Sequence, residues 1–271
     1  MPTKPPPPSQ DLIKRNPPCR KASPHGYVWT PPPFRLALAY CDRDRDRCED
    51  LLRWMGEMGR TFDNELILFT DEGALPLNHA NLLALARKVF PNTTDQFIPK
   101  TSAKWPGSNN WVFAFIARHM ARMAEPRPWL LLETDVVPVV PDWLPRLEEE
   151  YTKAAQPFMG AWVEYYDIMN GAAVYPPDVL SWSPDFFASD VTKAIAYDCF
   201  IAPDIMWFVH NATHMMPHIW FSRANSRPGG LVPKIPDWTP RMAAWVLTHN
   251  AVLAHRCKDG KLIEYLRSRA Q

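Results

Sequence analysis

The chain has 271 residues, enough to bury the core of one elaborated α/β domain or at most two small ones. Thirty Lys and Arg against 29 Asp and Glu leave a net charge of +1, which excludes the global basic field of many nucleic-acid binders and leaves only a local basic patch open. The five cysteines (Cys19, Cys41, Cys48, Cys199, Cys257) form no CxxC pair, which argues against a zinc site and for reduced thiols in a cytoplasmic protein, and no apolar run reaches the roughly 18 residues of a membrane span.

Residues 1–33 carry prolines at 5–8, 17–18 and 31–33. Such a segment favours extended polyproline II and packs no core of its own, so it reads as a tail or as a strap lying on the domain. It has no apolar h-region and does not read as a secretory signal. Residues 34–271 read as one domain, with a change of pattern near 138.

The first strand is predicted over 34–41. The alternating acids and bases of 42–47 then open a helix in which Leu51, Leu52, Met55 and Met58 have helical spacing and which Gly59 stops. Residues 65–71 form a second buried strand ending in Asp71. A helix over 81–89 stops ahead of Pro91, and 96–99 is a short third strand. Ser108 or Asn109 is the predicted N-cap of a third helix, 110 to about 124, with Trp111, Phe115 and Ile116 on its apolar faces. A fourth strand follows at 130–132. Strand-helix repetition predicts a parallel sheet with right-handed crossovers. No GxGxxG and no Walker A loop is present, which removes the dinucleotide fingerprint and P-loop chemistry.

Beyond 138 the pattern loosens. A short helix is predicted over 141–151 and a strand over 157–163. Asn170 and Gly171 form a turn ahead of a strand reaching Tyr175, and a helical segment contains Tyr197 and Asp198. Residues 222–241 are rich in Pro and Gly and read as a long loop. His210, His214 and His218 are four apart, but Pro217 interrupts any helix there, so they read as surface or groove residues. The 12 Trp residues suit sugar or base stacking; packing is the commoner use.

The chemistry concentrates where Trp129, Leu130, Leu131 and Leu132 run into Glu133, Thr134 and Asp135. A buried parallel strand would end there, and ligands of open α/β sheets bind beyond the carboxyl ends of strands. Carboxylates at that place commonly hold a divalent cation against a phosphorylated substrate; the other reading is a turn cap before Pro138. Tyr40, Asp42 and Asp71 stand at the ends of the first two strands, as either ligand contacts or turn caps.

Seven short patterns occur in order: Trp105-Pro106 through Asn110 and Phe113; Glu133 through Pro138; Trp143-Leu144; Phe158-Met159-Gly160; Asn170-Gly171 through Tyr175-Pro176; Tyr197-Asp198; and His255 through Ile263, containing Lys258-Asp259-Gly260. Each is weak alone. Their order over about 34–266 resembles the GT-A glycosyltransferases, and within them a group of glycosyltransferase-like proteins of phages and bacteria. The resemblance implies a mostly parallel central sheet flanked by helices. It also implies a nucleotide-binding half, 34–138, and a less regular acceptor half, 139–271.

It implies cofactors as well: a divalent cation, manganese or magnesium, and a nucleotide-diphosphate sugar, with uridine diphosphate the expected carrier. Asp135 would ligate the metal, Glu133 more weakly because the usual triplet has Asp at both ends. His255 would complete the metal sphere, Lys258 would contact the diphosphate, and Gly260 would let backbone approach the phosphates. Tyr40, Asp42, Asp71 and Asn110 would contact the base, ribose or sugar. Asp198 would be the catalytic carboxylate that takes the acceptor proton. Plainer readings remain beside each of these: a core histidine for His255, a cap or surface position for Asn110, a helix-surface acid for Asp198. The His and Lys resemble retaining families, whereas an Asp base suits inversion.

Three functions follow in order. The first is a metal-dependent glycosyltransferase acting on a hydroxymethylated pyrimidine of phage DNA, a virion protein or a bacterial surface glycan. A DNA acceptor would need a basic groove such as Arg223, Arg227, Lys234 and Arg241 offer. The second is a sugar- or partner-binding module that keeps the fold without turnover. The third, a nucleotidyltransferase, lacks the glycine-rich basic loop it would need after the first strand.

Overall fold

Along the first strand, β1 (Arg35–Tyr40), Leu36, Leu38 and Tyr40 enter one core and Ala37 another, because successive side chains leave opposite faces. The next strand, β2 (Leu66–Asp71), divides Leu66 and Leu68 from Ile67 and Phe69 in the same way. A sheet that is apolar on both faces has to be covered on both. The computed structural model describes residues 29–72, 76–163, 168–212, 215–216, 251–255 and 257–270.

Among those residues a seven-stranded sheet adds β3 (Thr93–Ile98), β4 (Trp129–Glu133), β6 (Phe158–Val163), β7 (Ile168–Tyr175) and β8 (Val209–Asn211) in the order β3-β2-β1-β4-β7-β6-β8. Strands β3, β2, β1 and β4 are parallel; β7 runs against both β4 and β6, and β8 is parallel to β6. A small second sheet joins β5 (Val137–Pro138), β10 (Leu253–Ala254) and β9 (Met215–Met216).

Helices α1 (Arg45–Glu57), α2 (Pro76–Val89) and α4 (Trp143–Ala154) cover one face of the large sheet through Leu51, Leu52, Leu82, Ala86, Trp143 and Leu147. Helices α3 (Gly107–Ala121), α5 (Val179–Trp182), α6 (Pro184–Ala188) and α7 (Tyr197–Ile205) cover the other, with Phe113, Ile116 and Phe186 fully buried. The closing helix, α8 (Lys261–Ala270), belongs to a third core with Trp54, Val137, Val139 and Ala254. The strap reading of the N-terminal segment concerns mainly residues outside those described, but Trp29 packs on Tyr151 with ring centroids 5.9 Å apart. No described helix is long and apolar enough to cross a membrane.

Several boundaries differ from the sequence expectations, each for a physical reason. Helix α2 starts at Pro76, five residues early, because proline is accepted in a first helical turn where its missing N–H goes unused. Strand β3 starts at Thr93, where pairing with Leu66 begins. Helix α3 starts at Gly107; neither Ser108 nor Asn109 caps it, since Pro106 holds the N-cap position and no side-chain cap forms. Tertiary contact sets that start, because the first turn lies directly on residues 191–195. A Cβ on Gly107 would stand 2.1 Å from the carbonyl oxygen of Thr192. Asn170 and Gly171 are inside β7 and make no hairpin turn. His210 lies on β8 and bonds Glu150 Oε1 at 3.0 Å, while His214 and His218 fall outside the described residues, as does the 222–241 loop.

Asn110 is fully buried on α3. Its amide donates to the carbonyls of Val191 (2.9 Å), Ala194 (3.2 Å) and Ile195 (2.9 Å), and its Oδ1 accepts from the Tyr197 N–H at 2.8 Å. These bonds clamp the chain entering α7. Asn110→Ala strands several buried backbone groups and is expected to lower stability by about 2–4 kcal/mol in urea unfolding. Ser108→Ala, at a position that caps nothing, is expected to change it by less than about 0.5 kcal/mol.

Candidate active site

The site grows from the end of β4. A tight turn, closed by Val136 N–H donating to Glu133 O at 3.0 Å, presents Glu133 and Asp135. The chain then enters β5, which pairs antiparallel with β10 through Val137–Ala254 and Pro138–Leu253. Val139 N–H to Val252 O (2.9 Å) and Cys257 N–H to Asp135 O (3.0 Å) extend that pairing at both ends. His255 is thereby fixed across from the acidic turn, 122 residues away in sequence.

Its Nε2 lies 3.1 Å from Glu133 Oε2 and 3.4 Å from Asp135 Oδ1. Lys258 Nζ stands 3.7 Å from Asp135 Oδ2. One ligand atom from each of Glu133, Asp135 and His255 falls within 4.8 Å of the others. The Asp135 side chain is only 5% exposed, whereas Lys258, at 69%, reaches open solvent.

Burial works against charge on both Asp135 and His255, but mutual pairing overcomes it. Hydrogen bonding and attraction to His255, then the charges of Lys258 and Arg47, bring the Asp135 carboxyl down to about 2. Asp135 and Glu133 together raise the His255 imidazole to about 9. At neutral pH an imidazolium therefore sits between two carboxylates. Two carboxylate oxygens and one imidazole nitrogen are a donor set that suits manganese, so these residues fit the divalent cation.

The opposite wall comes from β7 and α7. The Tyr197 ring stacks on Phe113, with centroids 4.0 Å apart and planes 7° apart. The Tyr175 hydroxyl donates to Gly171 O at 2.9 Å. Burial above all holds both phenols well above their usual range. A Cβ on Gly171 would stand 2.2 Å from the Tyr197 oxygen and 3.5 Å from Glu133 Oε1, so this glycine permits the close approach of a tyrosine to the acidic turn. Asp198 Oδ1 accepts from Cys199 N–H at 2.9 Å. Its carboxyl is raised, first by burial and further by the charge of Glu133, against the opposing hydrogen bond.

The other expected ligand residues fall at the strand ends. Asp95 only accepts, so His79 Nε2 donates to it (2.9 Å) and Nδ1 accepts from the Tyr40 hydroxyl (2.6 Å). Burial pushes Tyr40 up to about 12. Asp42 is exposed in a 3-10 turn, Asp42–Asp44. Asp71 ends β2 with Oδ1 enclosed and without a hydrogen-bond partner. Asn110 has both ends of its amide engaged by the chain itself. Gly260 has φ +72°, the left-handed backbone that leads into α8. The sequence reading missed Gly171 and Tyr197 as parts of one wall; the glycine inside a strand pattern was the available signal.

No protein-family model and no curated protein matches the chain. Solved structures do. An active-site mutant of LgtC aligns at TM-score 0.54 and 11% identity over 88% of this chain and 95% of its own. The bifunctional glycosyltransferase WbbM aligns at 0.52 and 12% over 82% of this chain, which spans only 45% of WbbM. Mouse xyloside xylosyltransferase 1 aligns at 0.51 and 10%, over 82% and 97%. The fold is the GT-A fold. In a GT-A sheet of this order, the acidic turn after β4 lies beside the carboxyl ends of β1 and β2, where a ligand of the open sheet would bind.

Two outcomes are expected. Because folding raises the His255 pKa, its contribution is complete below about 6.5 and disappears as pH rises through about 9; the Asp135 contribution is complete above 3.8 and disappears as pH falls through about 2. The melting temperature of metal-free protein should therefore fall between about pH 6.5 and 9, and His255→Gln should remove that part of the profile. Gly171→Ala should cost about 1–3 kcal/mol in urea unfolding by driving Tyr197 off its seat.

Proposed function

We propose that the chain is a metal-dependent glycosyltransferase that moves a sugar from a nucleoside-diphosphate carrier to an acceptor hydroxyl. The carrying observation is the Glu133–Asp135–His255 cluster at the carboxyl end of β4, in a fold shared with glycosyltransferases. Bound there by these three side chains, a divalent cation supplies positive charge against the leaving diphosphate.

The chain's own residues do the remainder. Lys258, exposed beside Asp135, offers a point charge to a phosphate. Asp71, whose enclosed Oδ1 has no hydrogen-bond partner, is suited to accept a base N–H, as uracil would present, while Tyr40 and Asp42 flank the base and ribose. The bond from the anomeric carbon to the diphosphate breaks, a new bond forms to the acceptor oxygen, and Asp198 takes that oxygen's proton. Its raised pKa makes it a stronger base than an ordinary carboxylate. A hydroxymethylated pyrimidine of DNA and a serine or threonine of a virion protein both offer such a hydroxyl. Arg223, Arg227, Lys234 and Arg241, the basic residues that a DNA acceptor would call for, lie outside the described residues.

A panel of nucleotide sugars with manganese should reveal one donor that raises the melting temperature by about 5 °C at a hundredfold excess over Kd and is slowly hydrolysed. Asp135→Asn should abolish both effects. A shift without hydrolysis, unchanged on adding candidate acceptors, would favour a binding module; no response to any donor would remove the nucleotide-sugar reading.

A further inference from the structure

The run Asp42–Arg47 alternates acid and base and reads in sequence as a solvated helix opening. The structure separates its members. Arg45 pairs with Asp46 on the solvent side at 2.6 Å. Arg47 pairs with Asp44 and keeps a third of its side chain exposed. It precedes Trp54 by seven residues, two helical turns, and so shares its face of α1 about 10 Å nearer the N-terminus. The Trp54 indole N–H donates to Pro138 O at 2.7 Å. The β1–β4 register pairs Ala39 with Glu133, so the end of β1, and the opening of α1 that follows it, stands beside the acidic turn. The Arg47 end of the helix therefore lies on the side of the acidic turn.

A fixed cation at this place is unfavourable for a metal site, since it repels the incoming divalent ion. It becomes favourable when an anion arrives with the metal. We propose that Arg47 is a second diphosphate-binding residue, approaching the leaving group from α1 while Lys258 approaches from the segment ahead of α8, with Asp44 holding the guanidinium until phosphate oxygens replace it. The planar fork of arginine suits two such oxygens at once. This inference rests on the nucleotide-sugar reading of the site.

The test measures two affinities in wild type, Arg47→Gln and Arg47→Lys: manganese alone, from the electron paramagnetic resonance of the free ion, and uridine, guanosine, cytidine and adenosine diphosphates with manganese, by calorimetry. Arg47→Gln should bind the preferred diphosphate about 10–100-fold more weakly yet bind manganese alone as tightly as wild type or severalfold more tightly, and Arg47→Lys should recover part of the diphosphate affinity. A merely structural role would weaken both affinities together, and that result overturns the proposal. Unchanged diphosphate affinity in Arg47→Gln overturns it too, while leaving the glycosyltransferase reading intact. Failure of wild type to bind any diphosphate removes both.

Discussion

The antiparallel pairing of Val137–Pro138 with Leu253–Ala254 is the constraint on which the site depends. Two residues per strand make a weak sheet on their own. What holds the pairing is the third core, in which Trp54 of α1 and Leu262, Ile263 and Leu266 of α8 enclose Val137, Val139 and Ala254. The bidentate Arg267–Glu57 ion pair ties the same two helices at the surface. Without this clasp the acidic turn would keep Glu133 and Asp135, which belong to the end of β4, but lose the imidazole and the lysine. The C-terminal helix thus acts on chemistry that it does not touch.

A second clamp sets the facing wall. Asn110 and the close approach at Gly107 seat the chain entering α7 on α3, which fixes Tyr197 over Phe113 and Asp198 beside the field of Glu133. The two clamps are apolar or fully hydrogen-bonded, whereas the space between them collects carboxylates, an imidazole and a lysine. Enclosed groups of like charge raise one another's cost, and the imidazolium of His255 offsets that cost while no metal is bound. In the proposed function a divalent cation would take over that offset.

Much of the sheet was legible in the sequence because parallel strands buried on both faces read as continuous apolar runs, as in Leu36–Leu38 and Leu130–Leu132. The cluster of Glu133, Asp135 and His255 was legible only through the order of several short motifs; no spacing rule connects residues 122 apart. What escaped was decided by tertiary contact. The start of α3 follows from packing on Thr192, so the cap residues Ser108 and Asn109 pointed to the wrong place. Asn170-Gly171 carries a hairpin signature, yet the glycine serves an approach by Tyr197 from a distant helix. Asn110 resembled a sugar contact, whereas its amide is bonded to the backbone of 191–197.

The most direct measurement is a calorimetric titration of manganese into metal-free protein near pH 7.5, repeated in buffers of different ionisation enthalpy. His255 carries a proton in the metal-free site and has to lose it to become a ligand, so about one proton should be released per ion bound. Binding without proton release would show that the metal does not use His255, and the absence of binding would show that the cluster is an ion-paired scaffold and not a metal centre.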